Sequence, residues 1–200
     1  MNIELAMLIG LAAGWLAAGL VADGLPGART AGALRRRTGS LLALTLAGLL
    51  AMAAVGFAAL ISAGPTVADR LSLHLALPAM PAMVVALSAV PRLRRLWLAA
   101  GAFRAAPDTP VPPALRAGAA HPMIGFPLQV AGLVTLPAMV TATGLVALTG
   151  PAMIGMVLTG AVFVAVTIGV RHALRHSRLA ERAVVVRPPA SPRPSGLLHV

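Results

Sequence analysis

The sequence predicts an all-α fold: a polytopic membrane helix bundle of five transmembrane helices, with the N-terminus out and the C-terminus in. Three observations carry that prediction. The first is composition, with 58% hydrophobic residues, 10% charged residues and a mean hydropathy of +0.90, against about 25% charged residues in a soluble domain. The second is a set of five uncharged runs, each near the roughly 20 residues a helix needs to cross a hydrocarbon core. The third is the placement of the sixteen basic residues, all arginine and all lying between or beyond those runs.

The spans are residues 5–22, 41–63, 71–90, 126–148 and 151–170. The first is read as a retained helix rather than a cleaved signal, because MNIE is acidic and no small-x-small site precedes Asp23. Arg29, Arg35, Arg36 and Arg37 follow span one; Arg92, Arg94, Arg95, Arg104 and Arg116 follow span three; six more follow span five. Only Arg70 falls on the other side. Fifteen arginines against one, alternating across five spans, fix both the helix number and the orientation, since positive loops stay cytoplasmic. The net charge of +11 is thereby a topological signal rather than a nucleic-acid one. The absence of Lys, Tyr and Cys beside abundant Ala, Arg, Gly and Pro suits a high-GC bacterial genome, and places the chain in a bacterial inner membrane.

Residues 1–182 form the transmembrane domain. Within it RLRRLWLAAGAFRAA (92–106) reads either as an interfacial helix with Trp97 at headgroup depth or as a continuation of span three. APDTPVPPA (106–114) is a turn-rich linker. The Pro-rich segment 183–200 is expected to be a disordered cytoplasmic tail.

Candidate chemistry is sparse. Without cysteine there is no thiol redox centre or thiolate metal site. The five acids, Glu4, Asp23, Asp69, Asp108 and Glu181, all lie at span ends or in loops, so no carboxylate pair faces an intramembrane cleft and the chain is read as non-enzymatic. GLVADGLPGAR (19–29) lacks the later aspartates of CDP-alcohol phosphotransferases and reads as a helix end followed by stop-transfer arginines.

In LHLALPAMPAMVVALSAV (73–90), His74, Pro78 and Pro81 share one helical face. Met80 lies about 120° from His74 and Met83 on the opposite side, so one ideal helix cannot bring them to one ion. Pro78 and Pro81 leave the carbonyls of His74 and Leu77 without helical donors, so that face is expected to point into the bundle. Met80 and Met83 are soft donors suited to Cu(I) and equally ordinary core filler. RHALRH (171–176) puts His172 and His176 at a metal-ligand spacing, but among three arginines it reads as a cationic cap on a helix end.

Taken in order, ADRLSLH (68–74), SAVP (88–91), His121-Pro122, Leu136-Pro137 and GAVFVAVTIGV (160–170) resemble the sequence of landmarks in CtaG-type cytochrome c oxidase assembly proteins, over about residues 40–170. That resemblance implies a polytopic membrane protein assisting respiratory oxidase assembly, with copper as the associated metal. Of the family's histidines it carries over His74 and His121, while Met153 stands near another such position. The derived topology puts His74 toward the outer end of span three and His121 at the cytoplasmic edge of span four. The metal candidates are thus His74, Met80, Met83 and His121, not as one site. Membrane lipids and other membrane proteins, or further copies of the chain, are the expected partners. The competing reading is a small oligomeric transporter subunit or membrane scaffold.

Overall fold

The computed structural model describes the backbone of residues 3–61, 67–142 and 151–185, and the side chains of residues 10–54, 57, 83–135 and 155–185. The fold is all-α. The helices are α1 (Ile3–Gly24), α2 (Ala31–Ile61), α3 (Val67–Gly101), the short α4 (Pro113–Ala119), α5 (Pro122–Ala142) and α6 (Pro151–Val185), with a 3₁₀ turn at Leu25–Gly27. Two stretches, Ala31–Ala54 of α2 and Gly155–Val185 of α6, are long and apolar enough to cross a membrane among the described residues.

Four helices close a ring: α1 packs on α2, α2 on α3, α3 on α5 and α5 back on α1. Each offers the ring a seam of buried residues spaced three and four apart. On α2 these are Leu34, Thr38, Leu41, Thr45, Leu49 and Met52; on α3, Ala86, Ala89, Leu93, Leu96 and Ala100; on α5, Ile124, Leu128, Ala131 and Thr135. α1 contributes Ala12, Trp15, Ala18 and Ala22. Alternating three- and four-residue steps are the spacing that keeps one stripe facing a neighbour in bundle packing. The stripe does not exhaust the apolar residues, because Leu20, Leu50, Val84 and Leu87 point outward and are exposed. Helices that are apolar on both faces are suited to a lipid environment.

The threonine hydroxyls inside the ring are satisfied within their own helices, whereas the indole N–H of Trp15 is buried without a hydrogen-bond partner. The hydroxyls of the fully buried Thr38 and Thr45 donate to the carbonyls of Leu34 and Leu41, at 2.8 and 2.7 Å, the back-bonding open to threonine in a helix. The largest core side chain, Trp15, is 1% exposed. Its indole lies over Gly48 of α2, where an added Cβ would fall 2.8 Å from Cζ2, and its backbone faces Gly132 of α5. Glycine at 48 lets α1 approach α2, whereas a Cβ at 132 would meet Trp15 at 3.7 Å, an ordinary contact.

Two sequence expectations are sharpened here. α3 runs unbroken from Val67 to Gly101, so residues 92–101 continue the helix that holds 71–90 rather than starting a separate one. Pro78, Pro81 and Pro91 all lie within that helix. Arg35, Arg36 and Arg37 sit not in a loop but on the first turns of α2, which begins ten residues ahead of the apolar run at 41; arginine is a good helix former and prolongs the helix beyond the apolar stretch. The linker after α3 completes the start of α2. Ala31 N–H donates to Thr109 O at 2.9 Å, Gly32 N–H to Pro107 O at 2.8 Å, and Val111 N–H returns a bond to Arg29 O at 3.1 Å. With Thr30 Oγ1 accepting from Ala33 N–H at 3.3 Å, the orphan donors of the helix start find partners. α6 extends to Val185, past the expected boundary at 182, and the rest of the Pro-rich segment lies outside the described residues.

Candidate functional site: a polar clamp at the base of α6

α6 stands outside the ring and packs chiefly on α5 and α4. Its inward face is narrow: Val157, Ala161, Ala165, Ile168 and His172 recur at helical spacing and are buried or partly buried. Small residues set the approach to α5. Gly169 sits against the Phe126 ring, and Gly125 sits against the His172 ring so closely that an added Cβ would overlap it.

The polar contacts concentrate where α6 leaves its apolar stretch. Asp23, at the end of α1, accepts from Arg171 Nη2 through both carboxylate oxygens, at 2.9 and 2.8 Å. Arg175 Nη1 donates to the Asp23 main-chain carbonyl at 2.7 Å and to Oδ1 at 3.3 Å. Arg37 Nη1 donates to Gly24 O at 2.9 Å. Three guanidinium groups from two helices therefore cap the C-terminal end of α1, where the helix dipole favours cations.

A second chain of bonds runs from α6 through α5 to α1. Gln129 Nε2 donates to Gly19 O at 3.4 Å, which turns its Oε1 toward His172 Nε2, 3.1 Å away. The carbonyl can only accept, so the amide orientation follows, and His172 must carry its proton on Nε2. His172 is buried, with 4% of its surface exposed. One turn on, His176 Nδ1 donates to Ala117 O of α4 at 3.1 Å. Its ring is 5.1 Å from that of His121, tilted by 54°. His121 Nδ1 accepts from Met123 N–H at 3.1 Å, fixing its neutral proton on Nε2. Burial, then the neighbouring His176, then Arg92 hold the His121 imidazole below its ordinary pKa.

The sequence-predicted residues separate in this geometry. His172 and His176 share a helix but turn to different partners, Gln129 and Ala117, and so act as contacts rather than as a chelating pair. His121 meets His176 and the positive field of Arg92, and among the described residues no group of three or more His, Cys, Asp or Glu could hold a metal ion. Met83 packs against the ring core. The side chains of His74, Met80 and Met153 lie outside the described residues. The backbone of His74 is eighteen residues before Arg92 on α3, about 27 Å along the axis, so His74 and His121 do not share a site. Two members of the clamp escaped the sequence reading. Asp23 was legible from the expected topology, in which it and Arg171 end runs at the same face; Gln129 was legible as an amide inside an apolar run.

Comparison with protein-family models, with curated proteins and with solved structures finds no match.

Proposed function

We propose that the chain is a multi-pass membrane protein of the inner membrane, with five spans and a cytoplasmic C-terminus, that acts without catalysis by presenting α6 to a partner helix. One observation carries this reading: α6 is pinned at one end by Asp23, His172 and His176, yet its apolar length is bare. Met156, Leu158, Val162, Phe163, Val166 and Val170 are all more than half exposed, Phe163 at 74%. A helix that needed lipid alone would not require a glycine-cut seat and a polar clamp to fix its rotation. The hydroxyls of Thr159 and Thr167 on that stretch donate to Gly155 and Phe163 carbonyls, at 2.8 and 2.9 Å, which suits an apolar surround. Assistance to respiratory oxidase assembly is the role the sequence resemblance supplies, and the partner helix would then belong to an oxidase subunit.

The absence of native cysteine makes the test direct. Phe163→Cys and Val166→Cys, cross-linked in native membranes, are expected to trap a second polypeptide, while Ala165→Cys on the inward face traps none. Oxidase subunits in the product support the assembly role; a homodimer or a transport protein favours the scaffold or transporter reading. Failure of both outward positions to trap any polypeptide would sink the helix-presenting function. Copper is tested separately by Cu(I) stoichiometry of the purified protein: retention lost in His74→Ala would assign metal handling to α3, and no bound copper would remove it.

A further inference from the structure

The arginine-rich ends of α2 and α3 enclose a feature that the clamp does not use. An open cleft of about 460 Å³ is lined by Arg35, Arg36 and Ser40 of α2, Trp97 of α3, and Phe103 and Arg104 of the turn after it. Its basic groups converge. If Gly101 carried a Cβ, that atom would lie 3.8 Å from Arg35 Nε and 3.9 Å from Arg104 Nε, so the two side chains approach the same bare point from different elements. Arg35 is held there by stacking, its Cζ 5.1 Å from the centroid of the Trp97 ring. Trp97 in turn rests on Gly39, where a Cβ would fall 3.2 Å from Nε1.

Like charges brought together repel, and nothing recorded among the described residues offsets them. The ion pairs there are those of Asp23 with Arg171 and Arg175, and Arg35 Nε is buried without a hydrogen-bond partner. Nor do these arginines cap α3: the carbonyls of Ala99, Ala100 and Gly101 accept from Ala102, Phe103 and Arg104 N–H in the closing turn. Guanidinium groups with free N–H edges, oriented by an aromatic face, match the oxygens of a tetrahedral phosphate, whether inorganic or esterified. Trp97 and Phe103 add an apolar wall.

We propose that this cleft binds a phosphate group between Arg35, Arg36 and Arg104, either that of an anionic phospholipid headgroup or a soluble phosphate. The lipid source rests on the five-span reading, which puts the cleft at the inner leaflet; the phosphate chemistry does not. The full chain in a phosphate-free, neutral maltoside detergent is titrated calorimetrically with inorganic phosphate, and its retention of phosphatidylglycerol over phosphatidylcholine is measured by native mass spectrometry. Saturable binding is expected, weakened about tenfold or more in Arg35→Gln/Arg104→Gln and unchanged in Arg178→Gln, alone or with Arg182→Gln, which together remove the same number of charges from exposed positions on α6. Preference for phosphatidylglycerol identifies the headgroup; phosphate binding without lipid preference identifies the soluble source. Equal weakening by these α6 variants would reduce the effect to diffuse charge and overturn the site, as would no saturable binding of either probe. Should the double variant melt early, Arg104→Gln alone, at an exposed residue, carries the same expectation. Cross-linking from Phe163 is independent of this cleft, so the two proposals fail separately.

Discussion

The four-helix ring and α6 are held by different means. In the ring, each helix contributes a seam of buried residues along its described length, and the threonine hydroxyls on that seam donate to their own backbone. α6 touches the rest of the molecule along a narrow face, and its polar bonds are gathered near Asp23, Gln129 and Ala117. Damage to the ring should therefore spread through the fold, whereas damage to the clamp should free one helix and leave the others standing. The difference separates a scaffold from the element it holds out.

Removing Trp15 is expected to have the largest effect. Its ring fills the space between α1 and α2 over Gly48, and truncating a buried aromatic costs about 3–5 kcal/mol in well-packed cores. Trp15→Ala should lower the melting temperature of the detergent-solubilised protein as a whole, with α6 cross-links lost together with helix content. If α6 detaches first while the ring melts normally, the division between ring and clamp is drawn in the wrong place.

Gly125→Ala strikes the other region. The new methyl overlaps the His172 ring, and relief requires α6 to shift or the ring to leave its seat beside Gln129. Overpacking of this kind costs about 1–3 kcal/mol, borne by the α5–α6 contact. The expected result is faster proteolysis and cysteine labelling around residues 172–176, with a nearly unchanged melting temperature for the ring. A uniform loss of stability would show that α6 is part of one cooperative unit with the other helices.

The sequence made some of this visible for physical reasons. Helix class and the arginine-rich end follow from composition and charge, which need no knowledge of neighbours. The seams were legible in principle, since Leu34, Leu41 and Leu49 on α2 recur every seven or eight residues, two helical turns, and Leu93 and Leu96 on α3 lie three apart; yet Leu50 and Leu87, equally apolar, face outward, and in an apolar protein hydrophobicity does not distinguish seam from surface. Helix adjacency was less legible still. The seat of α1 between α2 and α5 depends on Gly48 admitting the Trp15 indole and on Gly19 admitting Gln129, a complementarity of shape that leaves no periodic trace. For RHALRH, charge argued for a cationic cap on a helix end, and that reading missed the segment's acceptors, because Asp23 lies 148 residues away from Arg171. The cleft was hidden for the same reason: Arg35, Trp97 and Arg104 meet only once the α3 turn has folded onto the start of α2.

The smallest effect is the most specific probe of the clamp. His121 lies between α4 and α5, facing His176 of α6 and Arg92 of α3, and its pKa is lowered by burial first and by those two neighbours after it. A base whose folded pKa is depressed binds its proton more weakly in the folded state than in the unfolded one. Its contribution to stability is thus intact above the ordinary imidazole value of about 6.5 and is lost as pH falls from there through the lowered folded value. Because His121 is only partly buried and solvent screens the charges around it, the loss should be small and confined to the joint between α6, α4 and α5. Cross-linking and labelling of the 172–176 segment should respond to acid before the melting of the ring does, and His121→Asn should flatten that response while keeping an acceptor for the Met123 N–H. An acid response unchanged in His121→Asn would move the titrating group elsewhere in the clamp.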